Sequence, residues 1–405
     1  MRHLLIFFLA MFILSCFSIS CKQGSIKGET EKCFDRHILS ESQKAAIRKE
    51  INADLKALML DTLFEKKHER QGFNGAVLVA QKGVIIYEKA FGYRDMIRKF
   101  PLSIHSGFQL ASISKTFTGV AILLLIQSGK LSLDDSVQQY FPCFPYHGVR
   151  IIDLLSHRSG LPNYIYAFEE KRKLNGQPPT NDSIIKWFCE AKPTIPVYNR
   201  PGSFFSYNNT NFILLASIIE KVSGLRYPEF LSEKIFKPLD MMYTYVDTIA
   251  PDSLLRLKTI GHHGSRQRER EFYDGVYGDK GIFSTVEDLS RWYFGLINEC
   301  LLNRHWLKEA FTPRSFEKKG RHNYGLGFRM ITQPEDMHKV EYIYHGGWWA
   351  GYSTMFWTNP DKEFVIILLS NKKSMSAYEI RPILEVLEGE KNVDQEAGTD
   401  ATDTL

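Results

Sequence analysis

Strand-type runs stand near both ends of this 405-residue chain, and the stretch between them has a different texture. Gly75 to Ala80 and Val84 to Ala90 are apolar β-type runs separated by Gln81-Lys82-Gly83, a hairpin signal. Glu341 to Tyr344, Thr354 to Trp357 and Phe364 to Leu369 return to the same type near the other end. From Leu131 to about Tyr273 the chain reads as helices and loops, most clearly over Val149 to Ser156 and Phe212 to Val222. This order implies one composite α/β unit of α+β type, with strands from both ends in one sheet and a mainly helical insertion between them.

Hydrophobic content of 44% and charged content of 24% are ordinary for a globular chain and permit a sizeable core. The formal net charge of +5 is small, and no basic stripe interleaved with aromatics appears, so nucleic acid is not an expected partner. The N-terminus reads as an export signal over residues 1–21: a charged Met1-Arg2-His3, then a nearly unbroken apolar run from Leu4 to Phe17 ending in Ser18-Ile19-Ser20-Cys21. That run is too short for a comfortable membrane span. A cysteine just past such a region resembles a bacterial lipoprotein signal, with lipid on Cys21 (alternative Cys16) and an anchor in an envelope membrane. The competing reading is an ordinary cleaved signal or an uncleaved anchor.

Residues 22–70 form a polar tether and then one amphipathic helix over Glu41 to Glu69, with Ile47, Ile51, Leu55, Leu58 and Leu63 on its apolar stripe. Residues 71–387 make the main domain, and residues 388–405 are polar and acidic enough to form a disordered tail. Ser284, with Glu287 three residues on, is the expected N-cap of a helix through Leu296. Cys33, Cys143, Cys189 and Cys300 show no C-x-x-C spacing, so no metal is indicated, and buried free thiols are preferred over disulfides. His262-His263 lacks a carboxylate at ligand spacing and reads as a surface loop; His157 reads as a satisfied structural histidine.

Three stretches carry chemistry. Ser112-Ile113-Ser114-Lys115 precedes the apolar helix Phe117 to Ile126, which stops at Gln127-Ser128-Gly129. Serine and lysine three apart at a helix start share a face, where a hydroxyl nucleophile meets an amine that can take its proton. The same spacing recurs at Ser183/Lys186, Ser315/Lys318 and Ser370/Lys373, where solvated side chains are expected. Tyr207 and Asn209 are two apart, so in an extended segment they project to one side, a phenol as proton carrier and an amide to hold Lys115 or a substrate carbonyl. Tyr344-His345-Gly346-Gly347-Trp348-Trp349 ends a strand, and its bare glycines admit an extended substrate against the backbone. The N–H groups of Ser112 and Trp348 would then form an oxyanion hole. Trp348-Trp349 reads equally as a cleft wall or a packed aromatic pair.

Together these stretches resemble the serine β-lactamase and penicillin-binding-protein family, in its class C, D-alanyl-D-alanine carboxypeptidase and esterase branch. There a serine-x-x-lysine supplies the nucleophile, matching Ser112 and Lys115; a tyrosine-x-asparagine supplies the partner base, matching Tyr207 and Asn209. His345-Gly346-Gly347 fits the position of the third motif. Asp153 to Pro162, Gly278 to Ser284 and Tyr324-Gly325-Leu326-Gly327-Phe328 are also family-like, over a span from about Phe73 to about Glu385. The resemblance implies an antiparallel sheet flanked by helices and a serine hydrolase working through an acyl-enzyme, with no cofactor. Its partner would be a small molecule or peptide bearing a carbonyl. His345 stands where many β-lactamases carry lysine, and a mostly neutral imidazole attracts a carboxylate less. Ester or D-alanyl peptide substrates therefore rank above β-lactams, with a β-lactamase or a non-turnover penicillin-binding sensor as alternatives. The E-x-x-L-N loop of class A enzymes is absent; Glu170 to Asn175, with one residue too many, reads as an exposed charged helix end.

Overall fold

The computed structural model describes residues 39–168, 176–192, 194–248, 251–268, 270–317 and 319–389. The expected export signal with Cys16 and Cys21, Cys33, the Glu170–Asn175 stretch and the tail from residue 390 lie outside them. Seven strands make the principal sheet: β1 (Gly75–Gln81), β2 (Val84–Phe91), β3 (His322–Tyr324), β4 (Arg329–Thr332), β5 (Val340–Trp349), β6 (Tyr352–Asn359) and β7 (Phe364–Ser370). Their spatial order is β3-β4-β5-β6-β7-β1-β2, antiparallel throughout, so the two ends of the chain meet where β7 pairs with β1. The register Ala76↔Leu369 and Gly75↔Ser370 closes that seam.

Both faces of the sheet are covered, which explains why the strands read as unbroken apolar runs rather than alternating ones. Leu78, Ile367 and Leu369 face a core shared with the insertion, while Val79, Ile366 and Leu368 face the terminal helices. The long helices are α1 (Glu41–Glu50), α2 (Ala53–Gln71), α3 (Ser114–Gln127), α4 (Asn181–Glu190), α5 (Asn209–Ser223), α6 (Val286–Ile297) and α7 (Arg381–Glu388). Helices α2 and α7 cover one face; α3 and α5 are buried along most of their length within the other core. Each fully buried aliphatic side chain contributes about 1.5–3 kcal/mol, so the apolar face of α3 is a principal anchor of the fold.

Several expectations are corrected. The single helix over 41–69 is two, because Asn52 turns the chain through a left-handed φ of 54°, a conformation asparagine tolerates. Ser284 closes a short strand, and Thr285 caps α6 instead, accepting the N–H of Asp288 at 3.1 Å. Cys143 and Cys189 are joined in a disulfide rather than kept as thiols; the edge-on packing of Phe144 against Phe188 beside them draws the segments together. His262 sits in a short strand, Gly261–His263, fully buried with neither ring nitrogen bonded, so the His262-His263 segment is not a surface loop. Ser370 is not solvated: it is buried in β7, where its hydroxyl donates to the carbonyl of Asn74 at 2.8 Å. Glu388 belongs to α7 and accepts the Tyr342 hydroxyl at 3.0 Å.

Candidate active site

Ser112 lies in a 3-10 turn, Ala111–Ile113, that runs directly into α3. Ala111 before it holds a left-handed φ of 49°, a strained state for a residue with a Cβ. The turn is kept there by β5. A Cβ on Gly347 would collide with the Leu110 carbonyl and the Thr354 hydroxyl, so the strand comes this close only because residue 347 has no side chain. At Gly346 an added Cβ would meet the Tyr378 ring at an ordinary 3.5 Å. Gly347 therefore seats the Ser112 turn, which takes up the room left by its missing side chain, while Gly346 makes only ordinary contacts.

Helix α3 places Lys115 one turn after Ser112 and wholly buried. Its Nζ donates to Ser112 Oγ at 3.1 Å and to the main-chain carbonyl of Asp279 at 2.9 Å. Beside it stands Tyr207, with Lys115 Nζ 5.0 Å from the ring centre. The Tyr207 hydroxyl is buried and has no hydrogen-bond partner among the described residues. Hydroxyl, amine and phenol thus share one enclosure, although the phenol does not touch the serine in this resting arrangement.

Tyr207 and Asn209 do not lie on one extended segment. Asn209 opens α5 and Asn208 is its N-cap, accepting the Thr210 N–H at 2.9 Å. Helix geometry at residue 209 replaces the two-residue alternation assumed from sequence. Asn209 is half-buried and is not the partner of Lys115, whose acceptors are Ser112 and Asp279.

His345 is fully buried in β5. Its Nδ1 donates to the Gly346 carbonyl at 2.7 Å, which leaves Nε2 as the bare nitrogen facing the Tyr324 hydroxyl at 3.3 Å. Burial, then the charges of Arg329 and Lys115, push its pKa well below the usual histidine range, so it is a neutral imidazole. Strand β5 outruns β4, whose last paired residue is Arg329 opposite Tyr344. Residues 346–349 consequently pair with β6 on one side only, leaving a free strand edge at Trp348. Successive tryptophans point to opposite faces: Trp348 lies under Lys373 Nζ at 4.5 Å, while Trp349 Nε1 donates to Asp274 at 2.6 Å. They are not a packed aromatic pair.

Four further residues join the site that the sequence does not mark as site residues. Asp279 carries the carbonyl that holds Lys115, and its carboxylate accepts the Tyr164 hydroxyl at 3.0 Å and pairs with buried Lys280 at 3.3 Å. It belongs to the Gly278–Ser284 stretch, so its family-like surroundings were the available signal. Arg329 places its guanidinium 4.9 Å from the Tyr207 ring centre while itself buried; an arginine in a short strand carries no such signal. His157 packs on Tyr207 at 4.3 Å between ring centres. Its Nδ1 accepts the Asn208 N–H at 3.1 Å, so the proton sits on Nε2, which is buried and unbonded; the ring is only half satisfied. Tyr324 completes the group, 4.6 Å from His157 between ring centres.

Residues 60–389 match the family profile described as Beta-lactamase. The chain is similar to "Penicillin-binding protein 4*" of Bacillus subtilis (strain 168), 34% identical over 340 residues, covering 79% of this chain and 73% of that protein. In structure it is similar to a penicillin binding protein from Bacillus halodurans, with a TM-score of 0.69, 23% identity, and 80% of this chain and 98% of that chain covered. A class C β-lactamase gives a TM-score of 0.69 at 21% identity, over 84% of this chain and 98% of that chain. These two likenesses show the mixed fold with its large antiparallel sheet. With most of its length matched by the profile and a relative above 30% identity, the chain belongs to the β-lactamase family, a family of serine hydrolases that includes penicillin-binding proteins.

Proposed function

We propose that the protein is a serine hydrolase that cleaves an ester or a D-alanyl peptide through an acyl-enzyme on Ser112. The observation that carries this reading is the 3.1 Å hydrogen bond from Lys115 Nζ to Ser112 Oγ inside a buried enclosure. Ser112 Oγ attacks the carbonyl, and its proton passes to Lys115 and Tyr207, which later protonates the leaving group. The main-chain N–H groups of Ser112 and Trp348 hold the oxyanion, a contribution of roughly 3 kcal/mol per donor. Asn209, His345, Gly346 and Gly347 shape the cleft; the unpaired edge at residues 346–349 supports a substrate laid alongside β5. Water, activated by Tyr207, then releases the acyl group.

The second reading is a β-lactamase or a penicillin-binding sensor that acylates without turning over, supported by the name of the Bacillus subtilis relative. Within the first reading neutral His345 favours the ester, because it offers no full charge to the carboxylate that a β-lactam and a D-alanyl peptide both carry. A chromogenic ester, a D-alanyl-D-alanine peptide and a chromogenic cephalosporin, each given to the purified protein, separate the two. Sustained release from the ester or peptide supports the first; sustained cephalosporin hydrolysis, or a single burst without turnover, supports the second. As part of the same proposal the protein is exported and lipid-anchored through Cys21, with Cys16 the alternative. Fatty-acid incorporation that survives Cys21→Ala but not Cys16→Ala moves the anchor to Cys16.

A further inference from the structure

A cavity of about 350 Å³ opens beside the β5–β6 hairpin, lined in part by Gln109, Ala350 and Tyr352. None of the acyl-transfer residues lines it, yet it adjoins them on two sides. Gln109 lies three residues before Ser112, and Ala350 directly follows Trp349, whose indole N–H donates to the cavity residue Asp274.

The charges lining it do not cancel locally. Asp95 faces Arg98 at 3.7 Å, Asp247 holds Lys258 at 2.5 Å, and Asp274 is engaged by Trp349 and by the Glu271 N–H at 2.6 Å. Arg268 leans toward Glu271 at 3.6 Å. Arg94 remains: among the described residues its guanidinium has no carboxylate and lies 4.9 Å over the Phe100 ring. Gln109 is only 4% exposed, and its Oε1 accepts no hydrogen bond. An unpaired cation on an aromatic shelf calls for an anion, and a buried empty acceptor calls for an N–H donor.

We infer that this cavity is a recognition pocket for the carboxylate-bearing, N–H-bearing end of a peptide-like substrate whose reacting carbonyl lies at Ser112. The inference rests on the hydrolase reading for its link to Ser112. A chain laid along β5 advances roughly 3.3 Å per residue, so two or three residues past Trp348 bring it to the hairpin. The carboxylate then pairs with Arg94, and the Gln109 amide, whose Oε1 is closed to solvent in this structure, turns into the cavity to accept an amide N–H of the same chain.

The test uses the Ser112→Ala protein, which binds without turnover, and N-acetyl-trialanine in both enantiomeric series, as free acid and as C-terminal carboxamide. Calorimetry is expected to show the free acid of at least one series binding ten-fold or more tightly than its carboxamide. Adding Arg94→Gln should cut that preference below two-fold, and Arg94→Lys should retain most of it. Equal affinity of acid and carboxamide in the parent, or a preference that Arg94→Gln leaves intact, overturns the pocket. Labelling of Ser112 by a neutral fluorophosphonate in the wild-type chain is scored separately. If Ser112 resists the label while the Arg94-dependent preference holds, the hydrolase reading fails and the pocket stands.

Discussion

The second hydrogen bond of Lys115 goes to the main-chain carbonyl of Asp279, 2.9 Å away, so the amino group that faces Ser112 is aimed by a peptide group rather than by a side chain. That carbonyl is in turn fixed by what the Asp279 carboxylate does on the other side. There it binds Tyr164 and Lys280, all three being buried.

Asp279→Asn should therefore act on stability before it acts on chemistry. It leaves the carbonyl in place and strips Lys280 of its counter-charge. Breaking a buried pair costs about 3–5 kcal/mol, and the lower end is expected because burial already depresses the Lys280 pKa and lets it shed its proton. Denaturant unfolding measures the loss; an unchanged midpoint would show that the pair does not support this wall of the site.

Tyr207→Phe should separate stability from activity. The phenolic oxygen is buried without a partner, so removing it should leave stability unchanged or raise it by about 1 kcal/mol. Turnover should fall roughly 10²–10⁴-fold, the usual contribution of a positioned proton carrier. Full activity in the phenylalanine variant would remove Tyr207 from the proton path.

Glycine at 347 should matter far more than glycine at 346. Gly347→Ala drives a methyl into the Leu110 carbonyl and Thr354, displaces the Ser112 turn, and costs about 1–3 kcal/mol. Gly346→Ala meets only ordinary contacts and should be mild. Thermal unfolding and the rate of fluorophosphonate labelling, compared between the two variants, check this ranking.

The buried imidazole of His345 sets a pH dependence. Its folded pKa lies well below that of the unfolded chain, so on acidification the unfolded state takes up the proton first. Its contribution to stability is present above about pH 6.5 and is lost as pH falls, at up to ~1.4 kcal/mol per pH unit. His345→Gln should remove that slope. Asp288, whose burial raises its pKa to about 6, titrates in both proteins and cancels in the comparison. Parallel stability curves between pH 6.5 and 5 would show that His345 is protonated in the folded protein.

The architecture and the pairing of Ser112 with Lys115 were legible because both are written in residue types. Apolar β-runs at the two chain ends had only one economical way to be covered, and Ser112 with Lys115 sat at the mouth of a plain apolar helix. What stayed hidden acts through backbone or through distance. The carbonyl of Asp279 is chemically identical to any other carbonyl, and only the fold brings it within reach of residue 115. Arg329 approaches Tyr207 because β4 ends where β5 continues, a register fact that no local pattern encodes. Asn209 reads as part of an extended segment because asparagine at 208 suits a turn as well as the helix cap it forms. Ser284 and Thr285 are adjacent capping residues, and the strand that claims Ser284 decides between them.

Intact-protein mass spectrometry during turnover of a slow ester tests the account most directly. A transient adduct with the mass of the acyl group, mapped by digestion to Ser112 and absent from Ser112→Ala, is the predicted result. Steady hydrolysis by the Ser112→Ala protein, or an adduct borne by another residue, would contradict it.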